Sequence, residues 1–322
     1  MTTTTHETLH QAAHESTNES GHSVAPSTGR PIVSLGELQR AWEAVQSGRF
    51  RSSAHPGNAG AATAPSTGVG EWFPAETVIP VIGAGGSVGA TTLALALATS
   101  SSAPARVVEC CSSSASGLAS ASTAELGATG TGWRRGLRDG LHHRILLERA
   151  ADRIATAAAV PLPTDPDRPV SVTFLDCGWE LDHLLADGWL AELVTTAPAL
   201  VVAATATVPG MRRLEVVLDA LQSTQVTAAV LGPRRKKWGR SVEGSLGPST
   251  RALDAVDGLV EIPLDRDLAV HGPTSAPLPQ PLLTAAAHLI DRLPSPTTAS
   301  VAGLGADYAG ETQEPLVTDQ DR

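Results

Sequence analysis

Residues 78–98 read VIPVIGAGGSVGATTLALALA, with glycines at 83, 85, 86 and 89, hydroxyl side chains at Thr91 and Thr92, and no charged residue. A bend of this kind exposes backbone N–H groups, and a helix beginning directly after it turns its positive end toward the same point. That chemistry is anion binding, phosphate above all. Set on the phosphate-loop pattern GxxxxGK[ST], residues 84–91 fill all eight positions. Gly89 is kept, Ala84 stands for the first glycine, Ala90 for the lysine, and Thr91 for the hydroxyl that ligates Mg²⁺. The candidate phosphate-binding residues are therefore Gly85, Gly86, Ser87, Val88, Gly89, Ala90, Thr91 and Thr92. Asp176 ends an apolar run some 85 residues on and suits the carboxylate that would hold Mg²⁺ together with Thr91. The cofactor implied is ATP or ADP with Mg²⁺.

A second chemistry fits the same glycines. Gly83-x-Gly85-x-x-x-Gly89 is close to a dinucleotide fingerprint, and Glu109 lies 20 residues past Gly89, where a Rossmann fold carries the acid for a ribose hydroxyl. Val88 stands where that fingerprint wants glycine, Thr91-Thr92 has no purpose in it, and no hydride-transfer constellation follows. This NAD(P) reading is the alternative.

Either site needs a strand before the bend and a helix after it. Val78, Ile79, Val81 and Ile82 supply the first, and residues 90–98, rich in Ala and Leu, the second. Further on, residues 106–111, 170–176, 200–205, 226–231 and 258–265 read as buried strands between helical segments, the alternation of a parallel α/β domain. Residues 133–157 are expected to carry a Trp133-Arg-Arg-Gly-Leu-Arg138 segment and then a helical stretch through Leu146, Leu147 and Ile154.

The flanks read differently. Residues 1–33 are polar enough to form a disordered tail, with His6, His10 and His14 incidental to it. Residues 34–50 form an amphipathic helix, from the capping box Ser34-Leu-Gly-Glu37 and from Leu35, Leu38, Trp42 and Val45 at helical spacing. Residues 51–75 are a linker, residues 76–293 the main domain, and residues 294–322 a disordered acidic tail.

Across 322 residues, 33 acids outnumber 23 Lys and Arg, giving a net charge of −10. That balance argues against a general nucleic-acid coat. Three cysteines, two of them adjacent, do not make a disulfide framework, and no secretory leader is apparent, so the expected compartment is the cytoplasm. The glycines and Pro80 in residues 78–98 argue against a membrane span there. Lysine is confined to Lys236 and Lys237 beside abundant Ala, Gly, Thr and Arg, the usage of a GC-rich, actinobacterial genome. The dense basic run is Arg234, Arg235, Lys236, Lys237, Trp238, Gly239 and Arg240. It reads either as a contact for DNA or anionic membrane or as a solvated loop. Trp133, Trp179 and Trp189 read as core or interface anchors, and Cys177 as a buried filler.

Over residues 76–293 the chain resembles the ParA/MinD group of P-loop ATPases. GAGGSVGATTLALALA is similar to that group's loop G-x-K-G-G-x-G-K-T-T-x-A. LVVAATATVPGMRRLEVVLDAL is similar to its strand leading into a T-x-P/V-x-x-x-R helix, and VEIPLDRDLAVHG to its late IP-x-D segment, which in the family borders the nucleotide base. The resemblance implies a three-layer α/β/α, P-loop NTPase-like fold with a mostly parallel sheet, a homodimer and a protein partner. It also implies a role in partition, conjugation, septum placement or secretion-apparatus placement.

The departures fall on charge. Gly85 and Ala90 stand where the family carries lysines. Glu109 and Cys111 lie about where it carries aspartates, and Gly232 where an asparagine touches adenine. Phosphoryl transfer depends on cations placed where charge develops, so the resemblance implies a degenerate member, a pseudo-ATPase with weak hydrolysis if any. An active ATPase would need surrogate cations. Arg134, Arg135 and Arg138 are the candidates, reaching in from the loop side or across a dimer; otherwise they form a solvated basic patch.

Overall fold

The computed structural model describes residues 72–294 apart from 113, 114, 116 and 223. All lie in the second of the two units into which the chain divides, Thr67–Arg322. The expected N-terminal tail, the 34–50 helix, the linker up to residue 71 and the C-terminal tail from residue 295 fall outside the described residues.

Among the described residues nine strands form one sheet: β1 (Thr77–Gly83), β2 (Ala105–Glu109), β3 (Ala124–Ala128), β4 (Trp133–Asp139), β5 (Arg144–Ala150), β6 (Val172–Cys177), β7 (Leu200–Thr205), β8 (Val226–Gly232) and β9 (Leu259–Pro263). Their order across it is β3-β4-β5-β2-β6-β1-β7-β8-β9. Pairing is parallel except where β4 meets β3 and β5. The eight described helices are α1 (Ala90–Ser100), α2 (Leu181–Leu184), α3 (Trp189–Thr196), α4 (Val208–Ala220), α5 (Arg240–Glu243), α6 (Pro248–Ala255), α7 (Arg266–His271) and α8 (Gln280–Ile290).

The strands alternate faces with period two, and each face has its own core. Val81, Val107, Phe174 and Val201 pack under α1 and α8, against Leu93, Leu95, Leu97, Leu282, Ala286 and Leu289. Their neighbours Ile82, Val108, Leu175 and Val202 face the other way, against Leu190 and Val194 of α3 and Met211, Leu214 and Val217 of α4. Helices thus cover both faces, and the strands between them read as continuous apolar runs. This is the expected three-layer α/β/α architecture with a mostly parallel sheet. No helix among the described residues is long and apolar enough to cross a membrane.

Residues 133–157 correct the expectation. They form two antiparallel strands joined by a tight turn in which the Gly140 N–H donates to the His143 carbonyl (3.0 Å). The Leu146, Leu147 and Ile154 spacing suggested a helix, but residues 145–148 of β5 are buried whichever face they point to, so apolar periodicity loses its meaning there. Buried charge also fixes the region. Arg106, fully buried on β2, pairs with Glu148 (2.9 Å) and Glu76 and donates to the Thr173 hydroxyl (2.7 Å). Arg135 reaches the same Glu148 (2.7 Å). Trp72 covers this knot, its ring 5.8 Å from the Arg106 guanidinium.

Candidate functional site

The glycine bend leaves β1 beside β7, and the Ala84 N–H donates to the Ala203 carbonyl (2.8 Å), fixing where the bend starts. It then passes through two left-handed residues, Ser87 (φ 57) and Gly89 (φ 86, ψ 23), and Gly89 is the N-cap of α1. A side chain at Gly89 would be strained by that φ, and its Cβ would come within 2.9 Å of Leu231 Cδ2. The Leu93 N–H donates to the Gly89 carbonyl (2.9 Å), which begins the helical ladder. The first N–H groups of the helix, at Ala90, Thr91 and Thr92, have no acceptor within it. A glycine cap brings no side chain to them, and no acid lies in the first turn. Their partial positive charge is aimed outward, at the mouth of the bend.

Parallel pairing brings the carboxylate to this point. Val81 of β1 lies opposite Asp176 of β6, and Glu109 of β2 lies opposite Asp176 on its other side. Asp176 is fully buried, and neither carboxylate oxygen has a hydrogen-bond partner among the described residues. Burial pushes its pKa up to about 7. The neighbouring Glu109 charge acts in the same sense, while the Thr91 hydroxyl pulls the other way without closing a full hydrogen bond. An orphaned carboxylate costs several kcal/mol in a protein interior. A hydroxyl beside it and a helix N-terminus in front of it are the surroundings in which a divalent cation would supply the missing partner.

These elements open on a cavity of about 660 Å³, floored by residues 85–92 and walled by Trp179, Glu180, Thr205, Leu231, Pro263 and Asp265. The size suits a nucleotide-sized ligand. Gly85, Gly86, Ser87, Val88, Gly89, Ala90, Thr91 and Thr92 thus share one surface, with Asp176 behind Thr91. The late segment of Pro263, Leu264 and Asp265 lies on the far wall. Asp265 also caps α7 by accepting from the Leu268 N–H (2.9 Å).

The arginines expected as surrogates are not brought here. Arg134, Arg135 and Arg138 lie on β4, among the antiparallel strands at one edge of the sheet, and none lines the cavity. Arg135 is taken up by Glu148. Arg138, buried, donates to the carbonyls of Ala121 (2.8 Å), Thr274 and Ala276. Sequence spacing could not show this, because it took a strand for the approach to a helix.

No protein-family model matches the chain, and no curated protein does. Several solved structures are similar to part of the chain. A Borrelia burgdorferi protein assigned to plasmid partition, solved bound to AMPPNP, is similar over 67% of this chain and 97% of its own, at 12% identity and a TM-score of 0.42. A chain of the Aquifex aeolicus MinC:MinD cell division protein complex is similar over 67% of this chain and 96% of its own, at 15% identity and TM-score 0.41. Pyrococcus furiosus MinD is similar over 67% and 98%, at 12% identity and TM-score 0.38.

Glu109 does not serve a dinucleotide. It is buried, and its Oε1 accepts from the N–H groups of Gly117 and Leu118 (2.9 Å each), holding the 3₁₀ turn Leu118–Ala121. Moreover, β6 intervenes between β1 and β2, whereas a Rossmann sheet pairs its first two strands directly. Glu109, Cys111 and Asp176 hold their ligand atoms within 4.8 Å of one another. Burial drives the Cys111 thiol far above its ordinary range, with the charges of Asp176 and Glu109 adding to the effect, which favours the neutral thiol.

The basic run is divided. Arg235 is held by Glu243 (3.3 Å) and Asp254 and lies 5.4 Å from the Trp238 ring. Arg234, Lys236, Lys237 and Arg240 are exposed. Sequence reasoning also missed Arg213 of α4. It lies against the bend at Gly85, with Cδ and Nη1 each 3.2 Å from where a Cβ on that glycine would be. The arginine ending the T-x-P-x-x-x-R segment was the available signal.

Proposed function

We propose that the protein binds a nucleoside triphosphate with Mg²⁺, its phosphates in the 85–92 bend, and uses the bound state in a regulatory or positioning role in place of rapid hydrolysis. The carrying observation is Asp176: fully buried, without a hydrogen-bond partner among the described residues, and set beside the Thr91 hydroxyl behind a bare helix N-terminus. Thr91 and Asp176 would hold the cation, and the N–H groups from Gly85 to Thr92 would take phosphate oxygens. When bound, Mg²⁺ neutralises charge on the phosphate oxygens. Ala90 contributes only its backbone, so the loop orients phosphate with dipoles and carries no side-chain cation of its own. That combination binds better than it catalyses. Self-association, a protein partner, and contact with DNA or membrane through Arg234, Lys236, Lys237 and Arg240 remain parts of this proposal that the sequence resemblance suggests. So do the cytoplasmic setting and the actinobacterial origin.

Thermal unfolding of the full chain with ATP, ADP or NAD(P)H, each with and without Mg²⁺, tests the reading. The expected result is stabilisation by ATP that requires Mg²⁺ and disappears in Thr91→Val, with slow or undetectable phosphate release. Stabilisation by NAD(P)H and not by ATP would overturn it.

A further inference from the structure

A phosphate-binding bend needs compensation for two to four negative charges, and the described lining of this cavity offers little. Its titratable groups are Glu180, His183 and Asp265; two are acids, and no Lys or Arg is among them. Ala90 and Gly85 bring no charge from the bend itself. Backbone dipoles and a divalent cation alone would hold a triphosphate only weakly.

Arg213 supplies what is missing. Thr207 caps α4, accepting from the Gly210 N–H (3.1 Å). Gly210 sits so tightly on the end of β7 that a Cβ there would come within 2.4 Å of the Thr205 hydroxyl. The start of α4 is therefore fixed beside Thr205, itself a wall of the cavity. One turn on, Arg213 lies along Gly85 with both its aliphatic chain and its guanidinium in contact range. It is exposed, and among the described residues it has neither ion pair nor hydrogen bond. Most other arginines close to the sheet are committed: Arg106, Arg135, Arg138 and Arg235 all have carboxylate or carbonyl partners. An uncommitted guanidinium held against a glycine bend matches the planar, multidentate donor that phosphate oxygens prefer.

From this geometry we infer that Arg213 is the phosphate-binding cation of the site, and that residue 85 is glycine because a larger side chain would displace it. The inference rests on the triphosphate reading above and deepens it. The ligand group is the β/γ end of a nucleoside triphosphate, the part a cation at Gly85 would meet first.

Titration calorimetry on the full chain with Mg²⁺-ATP, Mg²⁺-tripolyphosphate and adenosine separates the two claims. Arg213 is exposed, so its variants are expected to fold. Arg213→Ala should weaken ATP and tripolyphosphate at least tenfold and leave adenosine unchanged, while Arg212→Ala, exposed on the same turn, should stay within twofold. Gly85→Lys placed on the Arg213→Ala background should recover most of the lost affinity, because a cation returns to the same point. If wild type binds ATP and Arg213→Ala binds it equally well, the inference is overturned and the triphosphate reading stands. Equal losses in Arg212→Ala and Arg213→Ala would also overturn it, showing a diffuse surface-charge effect. If wild type binds neither ATP nor tripolyphosphate, the triphosphate reading fails and the inference falls with it.

Discussion

Asp176 carries the proposed site at the scale of one residue. Its carboxyl is buried and has no hydrogen-bond partner among the described residues, and its pKa is raised from the ordinary carboxylate range to about 7. Raising an acid's folded-state pKa means that the native state keeps a proton the unfolded state has lost. Stability therefore falls as pH rises from about 4 to about 7 and levels off above it. In chelator-treated protein, Asp176→Asn should remove most of that slope and unfold at higher temperature than wild type at pH 8. The difference should be of the order of 3 kcal/mol and should vanish near pH 4. Chemical denaturation at several pH values with EDTA present checks this, and a variant less stable than wild type at pH 8 would contradict it. Gly89 is the matching backbone case. Its left-handed φ and its closeness to Leu231 lead us to expect Gly89→Ala to lose about 1–2 kcal/mol and to distort the bend, seen as a lower unfolding temperature and loss of any ATP-induced shift.

Among the elements, the antiparallel edge and the α4–α6 contact show how charge positions structure here. Arg106 neutralises Glu76 and Glu148 together in the interior. Arg106→Ala should leave both acids buried without their cation and cost about 3–5 kcal/mol, against less than about 0.5 kcal/mol for Arg144→Ala in the exposed pair with Asp139 (3.2 Å). Equal denaturation midpoints for the two variants would refute that account. Glu215 of α4 accepts from the N–H groups of Ser249 (2.8 Å) and Thr250 (2.9 Å) and from the Thr250 hydroxyl (2.6 Å), capping α6 from outside. Partial burial opposes its charge, but these hydrogen bonds prevail and hold its pKa below the usual value. The stabilisation is present above the unfolded-state pKa and lost as pH falls through the folded one. Glu215→Gln should thus cost about 1 kcal/mol at pH 7 and progressively less below pH 4, measured as the gap between the two unfolding curves.

At the scale of the molecule, the central strands and the bend were legible in the sequence because they are local patterns. Apolar runs mark β1, β6, β7 and β8, and a glycine bend followed by helix formers marks the start of α1. The place of Asp176 was legible as well: it stands near the end of an apolar run, and the structure buries it beside Thr91. Residues 133–150 were misread because strands covered on both faces carry no alternation, and because the Glu148 that anchors them looks like a helix surface residue. Arg134, Arg135 and Arg138 were candidates on charge alone; their distance from the bend follows from a strand order that no local window contains. Arg213 was passed over for the converse reason: its place against Gly85 depends on β7 pairing with β1, which brings together residues more than a hundred positions apart.

The central claim is that Thr91 and Asp176 form a cation site serving a triphosphate in the glycine bend. Its most direct test is the Mg²⁺ dependence of ATP affinity in wild type, Thr91→Val and Asp176→Asn, by calorimetry at pH 8. The account predicts that Mg²⁺ strengthens ATP binding at least tenfold in wild type and by no more than twofold in either variant. ATP binding that is indifferent to Mg²⁺ in wild type, or equally Mg²⁺-dependent in all three, would contradict it.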